Sequence, residues 1–262
     1  MPAQRILCLS AEAADICARL GAWDRVVGVT AFASQAGLSP KPVISGFSHC
    51  DCERALRLDP DLVLLFSDVQ AEIAASFIRR GCAVLVTNQR TLAGIADAIR
   101  LIGGAIGYTE RADEVATSFL SELASLQPAS DVPPTRPRVY FEEWPEPFTC
   151  GIGWVSELIE LAGGLDIFSH LRHPAARDRA VSPEAIIAAA PDLILASWCG
   201  RPVDLPSIRS RPGFDQIPAV RHGQIHALDS NTLLQPGPGI LTGARQIRAL
   251  IDRWKESSSI AD

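Results

Sequence analysis

Glu53-Arg54-Ala55-Leu56-Arg57-Leu58-Asp59-Pro60-Asp61-Leu62-Val63-Leu64 is matched further along the chain by Glu184-Ala185-Ile186-Ile187-Ala188-Ala189-Ala190-Pro191-Asp192-Leu193-Ile194-Leu195. The spacing from glutamate to proline is the same in both copies. Each reads as a short helix that stops ahead of Pro-Asp, followed by an apolar strand. Proline lacks the amide hydrogen that a helix interior needs, and it disfavours helical geometry in the residue before it, so the boundary is set chemically. Asp51 and Ser182 stand just ahead of the two helices, where a side-chain oxygen can accept from the first free amides.

Working outward, other segments fall into the same register. A strand at Arg5 to Leu9 precedes a helix at Ala11 to Leu20, and a strand at Arg138 to Phe141 precedes a helix at Trp154 to Ala162. Ala83 to Thr87 and Gln224 to Leu228 are the last strands of each copy, followed by helical patterns at Leu92 to Ile106 and Gly239 to Trp254. Apolar strands without a polar face, alternating with helices, specify an α/β fold with mainly parallel sheets. Two Rossmann-like lobes are expected, at 1–107 and 138–262, joined across 108–137. In the join, Ala112, Val115, Ala116, Phe119, Leu123 and Leu126 recur at helical spacing, so one long inter-lobe helix is expected. The proline-rich run Gln127 to Pro137 follows it as a tether.

Composition narrows the function. With 262 residues, 47% apolar and 21% charged, the chain has ample length for a buried core. A net charge of −6 argues against nucleic acid as a partner, because phosphate binding needs a basic surface. No apolar run reaches the ~20 residues needed to cross a bilayer, and the run after Met1 is too short for a signal-peptide core. The chain is therefore expected to be soluble, periplasmic if a leader was removed and cytoplasmic if it never had one. A monomer is expected.

The seven cysteines cannot all pair. Cys8, Cys17 and Cys82 lie in apolar segments and read as core residues. His49-Cys50-Asp51-Cys52 has a metal-like look, but a structural zinc site needs four ligands. The repeat supplies another reading, with Asp51 as helix cap and Cys52 opening the helix as Pro183 does in the second copy. No metal site is expected, and no covalently held cofactor.

In the order and spacing of these segments the chain resembles the helical-backbone, Fe-siderophore/cobalamin type of periplasmic binding protein. The resemblance rests on Arg5 to Ser10 with Arg25 to Thr30, on Glu53 to Leu64, on Gly151 to Gly164, and on Pro191 to Ile194 with Ala219 to Gly223 and Gln235 to Pro238. It implies a receptor without a catalytic step that hands a small metal chelate to the permease of an ABC transporter. Trp198-Cys199-Gly200 and the Gln-Pro-Gly-Pro turn look closest to cobalamin-binding members, so a cobalt corrinoid is the ligand implied. A ferric siderophore or haem is the alternative, and a cytoplasmic corrinoid-handling or sensing protein is another. The resemblance also implies an acidic residue on each lobe that meets the permease; the matching positions are Glu72 and Asp204.

In open α/β sheets ligands bind beyond the carboxyl ends of the strands. Six loops qualify, beginning near Ser10, Thr30, Phe66, Glu142, Trp198 and Ser230. Aromatic residues make up only 6% of the chain, yet they gather there. Phe32, Phe66, Trp144, Phe148 and Trp198 are expected to offer flat apolar walls, with Trp144 and Trp198 on exposed loop tips. Arg201 and Gln235 would orient polar groups of the ligand, as would Glu142 and Glu143. Cys199 stands where a thiolate could reach a soft metal. An enzyme built on Cys199 is the remaining class, and the chain has no Gly-rich phosphate loop, HExxH or GxSxG to favour it.

Overall fold

The computed structural model describes residues 2–128, 135–172 and 175–258. They divide into two compact units. The first comprises residues up to 89, 93–120 and 235–239, and the second comprises 90–92, 121–234 and the residues from 240 onward.

Unit 1 is built on β1 (Ile6–Cys8), α1 (Ala11–Arg19), β2 (Val26–Thr30), β3 (Val43–Ser45), α2 (Cys52–Leu56), β4 (Leu62–Phe66), α3 (Ala71–Ile78), β5 (Val84–Thr87), α4 (Leu92–Ile106) and the first part of α5 (Thr109–Ala124). Its sheet has the order β3-β2-β1-β4-β5, with every pairing parallel. The central strands β1 and β4 are buried along their whole length, which is why their sequences lack a polar face. Gly28 in β2 keeps the sheet close to its neighbours, because a Cβ there would come within 2.9 Å of both Ile44 and Leu7. Leu7, Leu9, Val63, Leu65 and Phe77 form the centre of this core.

Unit 2 is built on β6 (Arg138–Pro145), β7 (Phe148–Cys150), α6 (Gly153–Leu161), β8 (Leu165–Asp166), α7 (Pro183–Ala189), β9 (Leu193–Ala196), α8 (Leu205–Arg209), α9 (Pro218–Arg221), β10 (Ile225–Ala227) and α10 (Ile240–Ser258). The order is β10-β9-β6-β7, with β8 also on β6. All pairings are parallel except β6 with β7. One passage from unit 1 to unit 2 falls within α5, between Leu120 and Ser121. Ala129 to Pro134 of the expected tether lie outside the described residues.

The repeat is deeper than its sequence. Asp51 accepts from the Arg54 amide at 3.0 Å, and Ser182 accepts from the Ala185 amide at 3.2 Å. Asp59 and Ala190, the residues before the two prolines, both take left-handed backbone angles, with φ of 48° and 44°. Beyond each proline an aspartate ties its strand to the first strand of its unit. Asp61 accepts from the Arg5 amide at 2.9 Å, and Asp192 accepts from the Arg138 amide at 2.8 Å. The two arginines return the contact. Arg5 Nε donates to the Leu58 carbonyl at 3.1 Å, and Arg138 Nε donates to the Ala189 carbonyl at 2.9 Å. The strand registers agree, with Ile6 opposite Leu62 in one sheet and Val139 opposite Leu193 in the other.

Two boundaries differ from the sequence reading. β6 runs on to Pro145 and folds back as β7, so Glu142 is an interior strand residue opposite Cys150 and Ala196 and does not begin a loop. The turn Gln235 to Gly239, expected with the second half of the chain, belongs to unit 1. Gln89 Nε2 donates to the Pro236 carbonyl at 2.8 Å, and Asp15 accepts from the Gly239 amide at 3.0 Å.

Candidate functional site

In unit 1 the carboxyl ends of β1 and β4 are locked together by one amide side chain. Buried Gln70 accepts from the Phe66 amide at 2.9 Å and donates to the Leu9 carbonyl at 2.9 Å and the Phe47 carbonyl at 3.0 Å. Ser67, directly after β4, has φ 62° and ψ 176°, a conformation that is essentially restricted to glycine. Its hydroxyl accepts from the Val69 amide, and its own amide donates to the Thr87 carbonyl at 2.8 Å. Strain of this kind, held at the ligand end of an open sheet, marks a loop whose shape matters. Phe66 is buried beneath it, whereas Phe32 and Phe47 are among the few large apolar side chains left exposed. Gln235 Nε2 lies 3.5 Å from the Phe32 carbonyl, which places these two candidates side by side.

In unit 2 the structure brings together Trp144, Trp198 and Arg201. The Arg201 guanidinium carbon lies 5.0 Å from the Trp198 ring centre and 5.6 Å from that of Trp144, so one cation is shared by two indole faces. Trp144 is half-buried and Arg201 exposed. Trp198 is not the exposed loop tip expected of it. It is 2% exposed, packed in the unit 2 core, and its Nε1 donates to Glu142 at 3.1 Å. It supports the stack from beneath.

The charge expected from Glu142 and Glu143 is already taken up. Glu142 is fully buried and accepts from both terminal nitrogens of Arg211, from Trp198 and from the Tyr140 hydroxyl at 3.3 Å. Glu143 is held by Arg179 at 2.6 and 2.9 Å. Burial, reinforced by the Glu142 charge, holds the Tyr140 hydroxyl well above its ordinary pKa, so it stays a donor. The Arg211 guanidinium also covers half-buried Phe148 at 4.4 Å. Both carboxylates are held in ion pairs with arginines. The surface offers aromatic faces, a guanidinium and amides, which is binding chemistry.

Cys199 is exposed next to this stack. Desolvation of the sulfur and the nearby Glu143 charge raise its pKa, which favours the thiol over the metal-ligating thiolate at neutral pH. Cys52 opens α2 behind the Asp51 cap. Among the described residues no group of three His, Cys, Asp or Glu side chains is placed to hold a metal ion. Glu72 is exposed in the first turn of α3, and Asp204 is exposed as the cap of α8, where it accepts from the Ser207 amide at 3.2 Å.

The sequence reading missed Gln70, Arg179 and Arg211. Arg211 meets Glu142 across 69 residues and Arg179 meets Glu143 across 36, so no local pattern announces either pair.

The two α/β sheets, with aromatic and amide groups at the carboxyl ends of their strands, define a ligand-binding protein. A model described as periplasmic binding protein matches residues 6–232, and the chain belongs to that family. It is 25% identical to the uncharacterized ABC transporter substrate-binding lipoprotein YvrC of Bacillus subtilis, over 97% of this chain and 82% of that one. It is 25% identical to a vitamin B12-binding protein of Vibrio cholerae serotype O1, over 94% of this chain and 88% of the relative. Among solved structures it superimposes on the periplasmic heme-binding protein RhuT from Roseiflexus sp. RS-1 with a TM-score of 0.80 and 24% identity, covering 96% of this chain and 99% of that one. It matches the periplasmic vitamin B12 binding protein BtuF of Vibrio cholerae with a TM-score of 0.73 and 21% identity, covering 97% and 98%. These superpositions establish the fold. The named relatives are binding proteins rather than enzymes, in keeping with the expectation of no catalytic step. No helix among the described residues is long and apolar enough to cross a membrane.

Proposed function

We propose that this chain is the substrate-binding protein of an ABC importer and that its cargo is a cobalt corrinoid of the cobalamin type. The observation that carries the reading is the stack of Arg201 over Trp144 and Trp198 at the carboxyl end of the unit 2 sheet. A large planar macrocycle is held by flat apolar faces with few polar groups, and those are the groups on offer. The names of the B12-binding relatives support the same ligand. A ferric siderophore would call for several cations against its oxygens, and here the nearby Arg179 and Arg211 are already bound to Glu143 and Glu142.

In this reading Trp144, Phe148, Arg201 and Cys199 are the ligand-contacting residues that unit 2 offers, and Phe32 and Gln235 are those that unit 1 offers. Trp198 and Phe66 support them from below. Glu72 and Asp204 are the carboxylates that meet the permease, and the compartment is the periplasm or the outer face of the membrane. Tryptophan fluorescence titrated with cyanocobalamin, cobinamide and haemin tests the ligand class. Saturable quenching by the corrinoids at one equivalent is expected. Saturation by haemin alone would move the assignment to haem, and saturation by none would end it.

A further inference from the structure

Cys8 ends β1 and Cys17 lies on α1, which packs against that strand. Their sulfur atoms are 3.8 Å apart, and both residues are fully buried. Only Leu9 and Ser10 separate the strand from the helix, so the two elements have little freedom to drift apart. A disulfide requires the sulfurs to approach to about 2.05 Å. From van der Waals contact that is a short movement, well within what side-chain torsions supply.

From this geometry we propose that Cys8 and Cys17 are an oxidative cross-linking site, joined as a disulfide when the chain folds in the presence of a disulfide-bearing oxidant. The bond ties the last turn of α1 to the sheet next to Leu9, whose carbonyl anchors Gln70 and through it the loop after β4. The chemistry is thiol–disulfide exchange. One protein thiolate attacks a sulfur of the oxidant and expels a thiolate. The second protein thiolate attacks the mixed disulfide and expels the other. Two protein thiols are oxidised, one disulfide reagent is reduced to two thiols, and the two protons end on them. Exchange needs access to sulfur, and the folded core gives none, so the bond forms before α1 closes onto β1. The pairing rests on geometry alone. The proposed transport role adds only the oxidising compartment in which such bonds persist.

The test uses the full chain, reduced and unfolded, then refolded in a glutathione buffer containing the oxidised form. Remaining thiols are alkylated and the protein is mapped by peptide mass. A peptide pair linked through Cys8 and Cys17 is expected, and it should be absent when folded, reduced protein receives the same buffer. Cys17→Ala should abolish the link. Refolded protein with Cys8 and Cys17 both alkylated, or with either one joined to another cysteine such as Cys50 or Cys52, overturns the proposal. Since no cargo is involved, failure here leaves the ligand reading untouched, and failure of the ligand reading leaves this one standing.

Discussion

Replacing Arg211 with methionine removes the cation that pairs with the fully buried Glu142 carboxylate. Glu142 receives both terminal nitrogens of Arg211, one of them at 2.9 Å. Without them it keeps only two neutral donors, Trp198 Nε1 at 3.1 Å and the Tyr140 hydroxyl at 3.3 Å. Breaking a buried ion pair from one side costs about 3–5 kcal/mol, because the remaining charge has no solvent and no counter-charge. Methionine keeps much of the apolar contact over Phe148 and Phe214 but loses the cation–π share, worth about 0.5–2 kcal/mol. Arg211→Met should therefore destabilise unit 2 by roughly 4 kcal/mol. Adding Glu142→Gln removes the stranded charge and keeps an acceptor for Trp198, so the double variant should recover roughly 2 kcal/mol. Urea unfolding followed by tryptophan fluorescence reads this directly, since Trp144, Trp154, Trp198 and Trp254 all belong to unit 2. A loss below about 1 kcal/mol for the single variant, or a double variant no more stable than the single, would show that Glu142 does not depend on Arg211 for its burial.

Three other outcomes follow from particular residues. Glu12 is buried at the head of α1, and desolvation raises its pKa to about 7. The folded state therefore binds the proton more tightly than the unfolded one. The stability this gives is complete below the ordinary carboxylate pKa and is lost as pH rises to about 7, at roughly 3 kcal/mol in all. Glu12→Gln should flatten that slope between pH 5 and pH 8, and unfolding curves parallel to those of the parent at both pH values would contradict it. The two indoles of the stack should separate: Trp144→Ala should weaken corrinoid binding by about 1–3 kcal/mol with little loss of stability, whereas Trp198→Ala should cost about 3–5 kcal/mol of stability. Equal effects of the two on calorimetric affinity and on melting temperature would argue against that division. Glu72→Gln with Asp204→Asn removes both proposed docking charges while Asn preserves the α8 cap. It should retain ligand affinity and lose stimulation of the reconstituted transporter's ATPase, so unchanged stimulation would dismiss these two residues.

The fold was legible because it is written in local chemistry. The Pro-Asp boundaries, the caps at Asp51 and Ser182 and the unbroken apolar strands are all properties of neighbouring residues, and each stands where its chemistry puts it. The β6–β7 hairpin escaped because Glu142, Glu143 and Trp144 read as the start of a polar loop, although Glu142 is drawn into the strand by an arginine far along the chain. Trp198 escaped for the same reason: its glycine neighbour suggested exposure, while the buried Glu142 carboxylate gives its indole N–H a partner inside. The turn at Gln235 to Gly239 was placed by its position in the sequence, but its contacts with Gln89 and Asp15 assign it to the other unit. Long-range hydrogen bonds and ion pairs decided each of these, and one sequence carries no trace of them.

The most direct measurement is calorimetric titration of the full chain with hydroxocobalamin, run beside Arg201→Gln and Trp144→Ala. One site per chain, an affinity reduced in both variants, and unchanged unfolding transitions are expected. A flat titration with hydroxocobalamin, or binding that neither substitution alters, would contradict the corrinoid reading.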